Sequence, residues 1–177
     1  MAAPAVQGVG NFQKVDDQVY RGAQPTPEGF RNLSRLGIKT VVDLREPGDR
    51  SAGERKIVTE AGMRYISVPM RGMSTPSRED VYKVLGLLED TTSGPVFVHC
   101  LRGADRTGAV IACYRIEHDK WKNAQALAEA RSLGMSWFQK AIQSFVGSYQ
   151  ARNLDAAAAR TLDASAVSSP LLAPAGN

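Results

Sequence analysis

Pro95-Val96-Phe97-Val98-His99-Cys100 is a short, continuous apolar run that ends on a thiol. A run of this length that is apolar on both faces is a strand buried inside a parallel sheet. Thr107-Gly108-Ala109-Val110-Ile111-Ala112-Cys113-Tyr114-Arg115-Ile116-Glu117-His118 follows as a helical run. Between them lies only Leu101-Arg102-Gly103-Ala104-Asp105-Arg106. A buried strand, a tight loop and a helix in that order form the carboxyl edge of a parallel sheet, where such sheets bind their ligands.

The rest of the chain repeats the alternation. Two β-prone runs around Asp16-Asp17 predict a small hairpin. A helix is expected from Thr26 to Gly37, with Pro27 at its start, Gly37 past its end and Phe30, Leu33 and Leu36 on one face. "IKTVVDL" and "RYISVP" read as strands, and "GERKIVTEAG" between them as a helix. "REDVYKVLGLLED" is an amphipathic helix capped by Ser77. "KNAQALAEARSL" is a helix ended by Gly134. "SWFQKAIQSFVGSYQARNL" is the last amphipathic helix, on the recurrence of Trp137, Ile142, Phe145 and Tyr149. The fold class expected is α/β, a mostly parallel central sheet flanked by helices. At 177 residues the chain has room for one domain. Residues 1–10 read as a loose N-terminal arm, 11–154 as the domain, and 155–177 as an Ala-, Ser- and Pro-rich tail expected to be disordered.

The loop carries the chemistry. It enters a helix N-terminus, where backbone N–H groups and the helix dipole favour an anion. Gly103 permits a tight bend close to that anion. Arg106 offers a planar fork to two phosphate oxygens. Cys100 opens the loop beside a cation and a helix N-terminus, surroundings that favour the thiolate at neutral pH. A nucleotide-binding loop is excluded, because G-x-x-x-x-G-K-[ST] needs a lysine that is absent here. Cys113 falls on the apolar face of the following helix and reads as core. Two cysteines make no disulfide framework, and none of the paired spacings of a zinc site occurs.

H-C-x5-R-[ST]-G, formed by His99, Cys100, Arg106, Thr107 and Gly108, resembles the signature of the protein-tyrosine and dual-specificity phosphatases. With "VYRGAQPTPEGFRNLSRLGIKTVVDLRE" upstream, the chain resembles the compact atypical dual-specificity group of bacteria, plants and fungi over about Asn11 to Val146. The resemblance implies that Cys100 attacks phosphorus to form a cysteinyl-phosphate, and that Arg106 and the amides of Leu101 to Arg106 hold the phosphoryl oxygens. It implies that Thr107 hydrogen-bonds the Cys100 sulfur. His99, Leu101, Arg102, Gly103 and Ala104 are expected to shape or line the substrate site. Arg45, Arg71 and Arg78 are candidates for its rim, with Arg45 counted among the substrate-binding residues. Relatives place an acidic aspartate on the loop after the strand equivalent to "RYISVP"; here Met70–Arg78 holds no carboxylate. Some similar phosphatases carry it just before the signature arginine, so Asp105 is the expected general acid, with Asp80 in reserve. The competing reading of Asp105 is a salt bridge to Arg102 or Arg45.

The expected activity is phosphomonoester hydrolysis, by a protein-tyrosine or dual-specificity phosphatase. The alternatives are a phosphoinositide or inositol-phosphate phosphatase and a non-catalytic phospho-binding module. The expected partner is a phosphorylated protein, small molecule or lipid. No cofactor and no metal is called for, because thiolate, arginine and amides suffice. A net charge of +4 suits an anionic substrate but gives no reason to expect nucleic acid. No apolar run is long enough for a membrane span, and the first ten residues lack the pattern of a signal peptide. The expectation is a cytoplasmic monomer. Asp43 is read as a structural group at a strand end, and Trp121 and Trp137 as helix packing.

Overall fold

The computed structural model describes residues 5–48 and 53–152. Five strands form one sheet in the order β1-β2-β5-β3-β4: β1 (Gln13–Lys14), β2 (Val19–Ala23), β3 (Thr40–Asp43), β4 (Arg64–Ser67) and β5 (Val96–Cys100). β1 and β2 pair antiparallel as the expected hairpin; every other pairing is parallel. The helices are α1 (Pro27–Leu36), α2 (Glu54–Glu60), α3 (Arg78–Glu89), α4 (Asp105–Glu117), α5 (Asn123–Ser132) and α6 (Lys140–Gly147).

Strand alternation divides the core in two. Val41 and Phe97 face α1 and α2, packing with Phe30, Leu33 and Val58. Val42, Val96 and Val98 face the other way, against Val84, Leu85, Ile111, Ala130 and Ile142 of α3 to α6. β5 is central and buried along its whole length, so whatever follows Cys100 emerges at the middle of the sheet's carboxyl edge. Gly37 turns left-handed at φ 99° to end α1 as expected, and Thr26, not singled out in the sequence, caps its start by accepting the Gly29 amide. Ser77 accepts the Asp80 amide at the start of α3.

Two expectations are corrected here. The stretch read as a loose arm is packed where it is described: Val9 belongs to the core, and the Gly8 carbonyl accepts the Thr26 amide. The last helix is far shorter than its periodicity implied. Gln143 donates to the Ser136 and Trp137 carbonyls, which holds residues 136–139 in a separate turn. At the other end, Asn123 donates to the Val146 and Tyr149 carbonyls and closes α6. Trp137 therefore lies outside the helix and is 77% exposed, not packed. Trp121 does pack, beneath the Arg115 guanidinium at 4.7 Å. The tail expected over 155–177 lies outside the described residues.

Candidate active site

β5 delivers Cys100 buried at the carboxyl edge of the sheet, and the chain turns through Leu101–Ala104 into α4. The turn depends on Gly103. Its φ is +67°, and a side-chain carbon there would lie 2.3 Å from the Gly22 carbonyl carbon of β2. Gly103 is thus required by close packing on β2 rather than by approach to an anion. Its carbonyl accepts Arg21 Nη2 and Asn11 Nδ2, while Asn11 also donates to the Leu133 carbonyl. Among the described residues, no carbonyl takes up the amides of Leu101 to Asp105, which leaves them for an anion at the head of α4.

Cys100, Leu101, Arg102, Asp105, Arg106 and Gly72 line one cavity of about 70 Å³. The Arg106 side chain reaches under the loop after β4, where Nη1 donates to the Met70 carbonyl at 3.3 Å. Asp105 opens α4. Its Oδ1 accepts the Ser136 amide at 2.7 Å, and its Oδ2 accepts the Ser136 hydroxyl at 3.3 Å and Arg102 Nη1 at 3.2 Å. The carboxylate thus both faces the cavity and forms the Arg102 ion pair. Arg102 also donates to Ser136 Oγ at 2.8 Å, so the turn between α5 and α6 is fastened to the loop. Ala104 is buried, and Leu101 stands half-exposed at the rim. Thr107 is fully buried, yet among the described residues its hydroxyl has no hydrogen-bond partner; the expected bond to Cys100 Sγ is not made. Asp80 lines a separate cavity of about 240 Å³ with Arg71, and its carboxylate is 3.6 Å from Lys83.

Two residues expected at the substrate lie behind it instead. His99 is completely buried; Nδ1 donates to the Cys100 carbonyl at 3.1 Å, and Nε2 meets Glu54 Oε1 at 2.9 Å. It holds the strand end and is not among the residues that line the Cys100 cavity. Arg45 is 1% exposed, not at the rim. Its amide and guanidinium both donate to Asp43, and its Nη2 also donates to Glu54. The short turn closed by Asp43 folds Arg45 inward, where one cation serves two buried carboxylates. Burial pushes the Asp43 carboxyl up, but the Arg45 hydrogen bonds, the neighbouring His99 ring and the Tyr65 hydroxyl outweigh it and hold it below its ordinary value. Asp43, Glu54 and His99 are close enough together to share a metal ion, but the cation between the two carboxylates is Arg45. Arg78 also leaves the rim, lying over the Phe145 and Tyr149 rings. Burial pushes the Cys113 thiol up, as fits a core residue.

Sequence reasoning passed over Arg21, Asn11 and Ser136. Arg21 left a signal: alternation along "QVYRG" places an arginine on the face of Val19, at an inward position. Ser136 left none, since its role depends on where the turn after α5 lands.

Known proteins share this arrangement. Residues 4–148 match the family model described as "DSP-PTPase phosphatase fused to NAD+ Kinase". The inositol diphosphatase DSP3 of Arabidopsis thaliana is 27% identical over 135 residues, 73% of this chain and 66% of that protein. The dual specificity protein phosphatase TpbA of Pseudomonas aeruginosa is 32% identical over 136 residues, 75% of this chain and 58% of that protein. The chain thus spans less than two thirds of these curated relatives. A crystal structure of TpbA in complex with pTyr superposes with a TM-score of 0.71 at 26% identity, covering 92% of this chain and 96% of that one. A family model spanning most of the chain, and a solved phosphatase of the same architecture, agree with the signature read along β5 and α4: the chain belongs to the DSP-PTPase phosphatase family.

Proposed function

We propose that this chain hydrolyses phosphate monoesters through a cysteinyl-phosphate, with Cys100 as nucleophile and Arg106 as the clamp on the phosphoryl group. The observation that carries this reading is that both side chains line one small cavity at the head of α4, below amides that no carbonyl takes up. In the first step Cys100 Sγ forms a bond to phosphorus as the ester P–O bond breaks. Asp105 gives its proton to the leaving oxygen; it is the carboxyl that lines this cavity, whereas Asp80 lines the neighbouring one. In the second step Asp105 takes a proton from water, water oxygen bonds to phosphorus, and the S–P bond breaks. Thr107, one residue beyond the clamp, has a hydroxyl with no other partner to offer the departing sulfur. Through both steps the amides and Arg106 hold the equatorial oxygens.

The substrate we favour is a phosphorylated protein side chain. Leu101 lines the mouth, and three further large exposed apolar residues are sequence neighbours of groups that line or brace it: Met73 follows Gly72, whose carbonyl accepts Gln139, and Trp137 and Phe138 follow Ser136. Of the cations near it, Arg102 is already paired with Asp105. An apolar rim with Arg102 already committed to Asp105 suits a peptide better than a polyphosphate. The second reading is an inositol phosphate, supported by the name of the Arabidopsis relative.

The test is phosphate release from phosphotyrosine and phosphothreonine peptides, phosphoinositides and an inositol polyphosphate, with Cys100→Ser as control. Release from the peptides that disappears in the control is the expected result. Preference for the inositol polyphosphate would replace the substrate reading, and undiminished release in the control would overturn the nucleophile.

A further inference from the structure

Arg21 takes no part in the steps above, yet it is among the largest fully buried side chains, 1% exposed on β2. Register sets Arg21 opposite Val98 and Ala23 opposite Cys100. Nη2 donates to the Gly103 carbonyl and lies 4.0 Å from where a side-chain carbon on Gly108 would sit, so the guanidinium is wedged beneath the first turns of α4. Nε and Nη1 have no hydrogen-bond partner among the described residues. Burial pushes the guanidinium down to about 10, which leaves it charged at neutral pH. The ionisable groups that face it are Glu129 on α5, Cys100 on β5 and Arg115 on α4. Glu129 is already held through both oxygens by Arg115. A buried charge without a counterion is strongly disfavoured. Among the described residues, the anions left to balance Arg21 are the Cys100 thiolate and, in the proposed reaction, the phosphoryl group that it receives.

The hydrogen bond to Gly103 has a second effect. In a trans peptide the C=O and the following N–H point in opposite directions. A carbonyl pinned down toward β2 by Arg21 and Asn11 therefore turns the Ala104 amide the other way, toward the head of α4. We propose that Arg21 is a positioning residue for this reaction: from behind the loop it supplies the fixed counter-charge for the Cys100 thiolate and aims the Ala104 amide at the phosphate. This rests on Cys100 being the nucleophile, but its test does not need turnover.

The test compares the full-length chain with Arg21→Met, Arg21→Lys and Arg21→Gln. Iodoacetamide alkylation of Cys100 is followed against pH by mass spectrometry, which separates it from Cys113. Inorganic phosphate protection against alkylation and the melting temperature are read beside it. Arg21→Met should move the alkylation profile up by about one pH unit, about a tenfold loss of thiolate at a given pH, and weaken phosphate protection. Its melting temperature should hold, because the Gly103 carbonyl keeps its bond from Asn11 Nδ2 and Cys100 can take up a proton instead of remaining an unpaired buried anion. Arg21→Lys should restore the profile through its charge while leaving phosphate protection weakened, since it lacks the planar fork. An unmoved profile in folded Arg21→Met overturns the proposal, as does a lowered melting temperature with an unmoved profile. If Arg21→Met does not fold, Arg21→Gln keeps a donor for Gly103 and removes the charge, and an unmoved profile there overturns it equally. Failure of the phosphatase reading would show separately, as absence of phosphate release by the unaltered chain.

Discussion

The structural role of Asp105 and the catalytic role proposed for it make conflicting demands. Its oxygens accept the Ser136 amide, the Ser136 hydroxyl and Arg102, an arrangement that fixes the carboxylate in place. The proposed chemistry also asks it to carry a proton to the leaving group. The conflict is resolved if the leaving oxygen displaces Arg102 from the carboxylate alone, since its side chain is more than half exposed and keeps its bonds to Ser136 Oγ and the Gly134 carbonyl. Asp105→Asn should then lower kcat by about 10²–10⁴-fold for an alkyl phosphate with a poor leaving group. An activated aryl phosphate needs little proton donation and should lose far less. Equal losses on both esters, read from parallel kcat measurements, would remove Asp105 as the acid and leave it as a brace for the turn after α5. Both of its readings were visible in the sequence, because Arg102 stands three residues before it. Which atoms Ser136 would offer was not, since that contact joins residues far apart in the chain.

At the level of elements, the signature loop is clasped from two sides. β2 holds it from below through Arg21 and the close approach of Gly22 to Gly103. The turn between α5 and α6 holds it from above through Ser136 and the Gly134 carbonyl. That turn is itself set by Gln143, which is buried, accepts Arg131 at 2.6 Å and donates to the Ser136 and Trp137 carbonyls. Gln143→Leu should cost about 1–3 kcal/mol by leaving buried polar groups unpaired, visible in a thermal melt. It should also lower kcat several-fold, because Ser136 no longer orients Asp105. A fallen melting temperature with kcat intact would show that the turn is not what aligns the acid. Strands and helices with a clear period and a capping residue, such as α1 with Thr26 and Gly37, could be read directly. α6 could not: the apolar spacing from Trp137 to Tyr149 runs through its ends, and only the side chains of Gln143 and Asn123 mark where the helix starts and stops. Arg45 misled for a similar reason. Its place in sequence beside the sheet's carboxyl edge is right for a rim, but Asp43 turns it inward.

The whole molecule is tied together by buried and half-buried ion pairs, and these set its response to acid. Arg152 bridges Glu89 of α3 and Glu117 of α4, while Tyr149 donates to Glu117. Burial pushes the Glu117 carboxyl up, but Arg152 and Tyr149 more than offset it and hold it below the ordinary carboxylate range. Asp119, beside Arg115, is held low in the same way, as is Asp43. A carboxylate lowered in the folded state contributes stability that is complete above its unfolded value of about 3.9–4.3, and that is lost as pH falls through the folded value. The melting temperature should therefore stay level from neutral pH to about 5 and fall steeply below about 4. Glu117→Gln should lower the plateau and soften that fall; an unchanged acid slope would mean that these pairs do not govern it. Among the described residues no helix is long and apolar enough to cross a membrane, and the side chains sort between the exposed surface and the protein interior. The two tryptophans divide between those surroundings. Trp121 is covered by Arg115, whereas Trp137 is exposed one residue from Ser136, which braces the cavity-lining Asp105, and makes edge contact with Phe138. The unlabelled protein thus carries an optical probe next to that brace and a second indole to serve as an internal reference, and a ligand that disturbs the Asp105–Ser136 contact should register in its fluorescence.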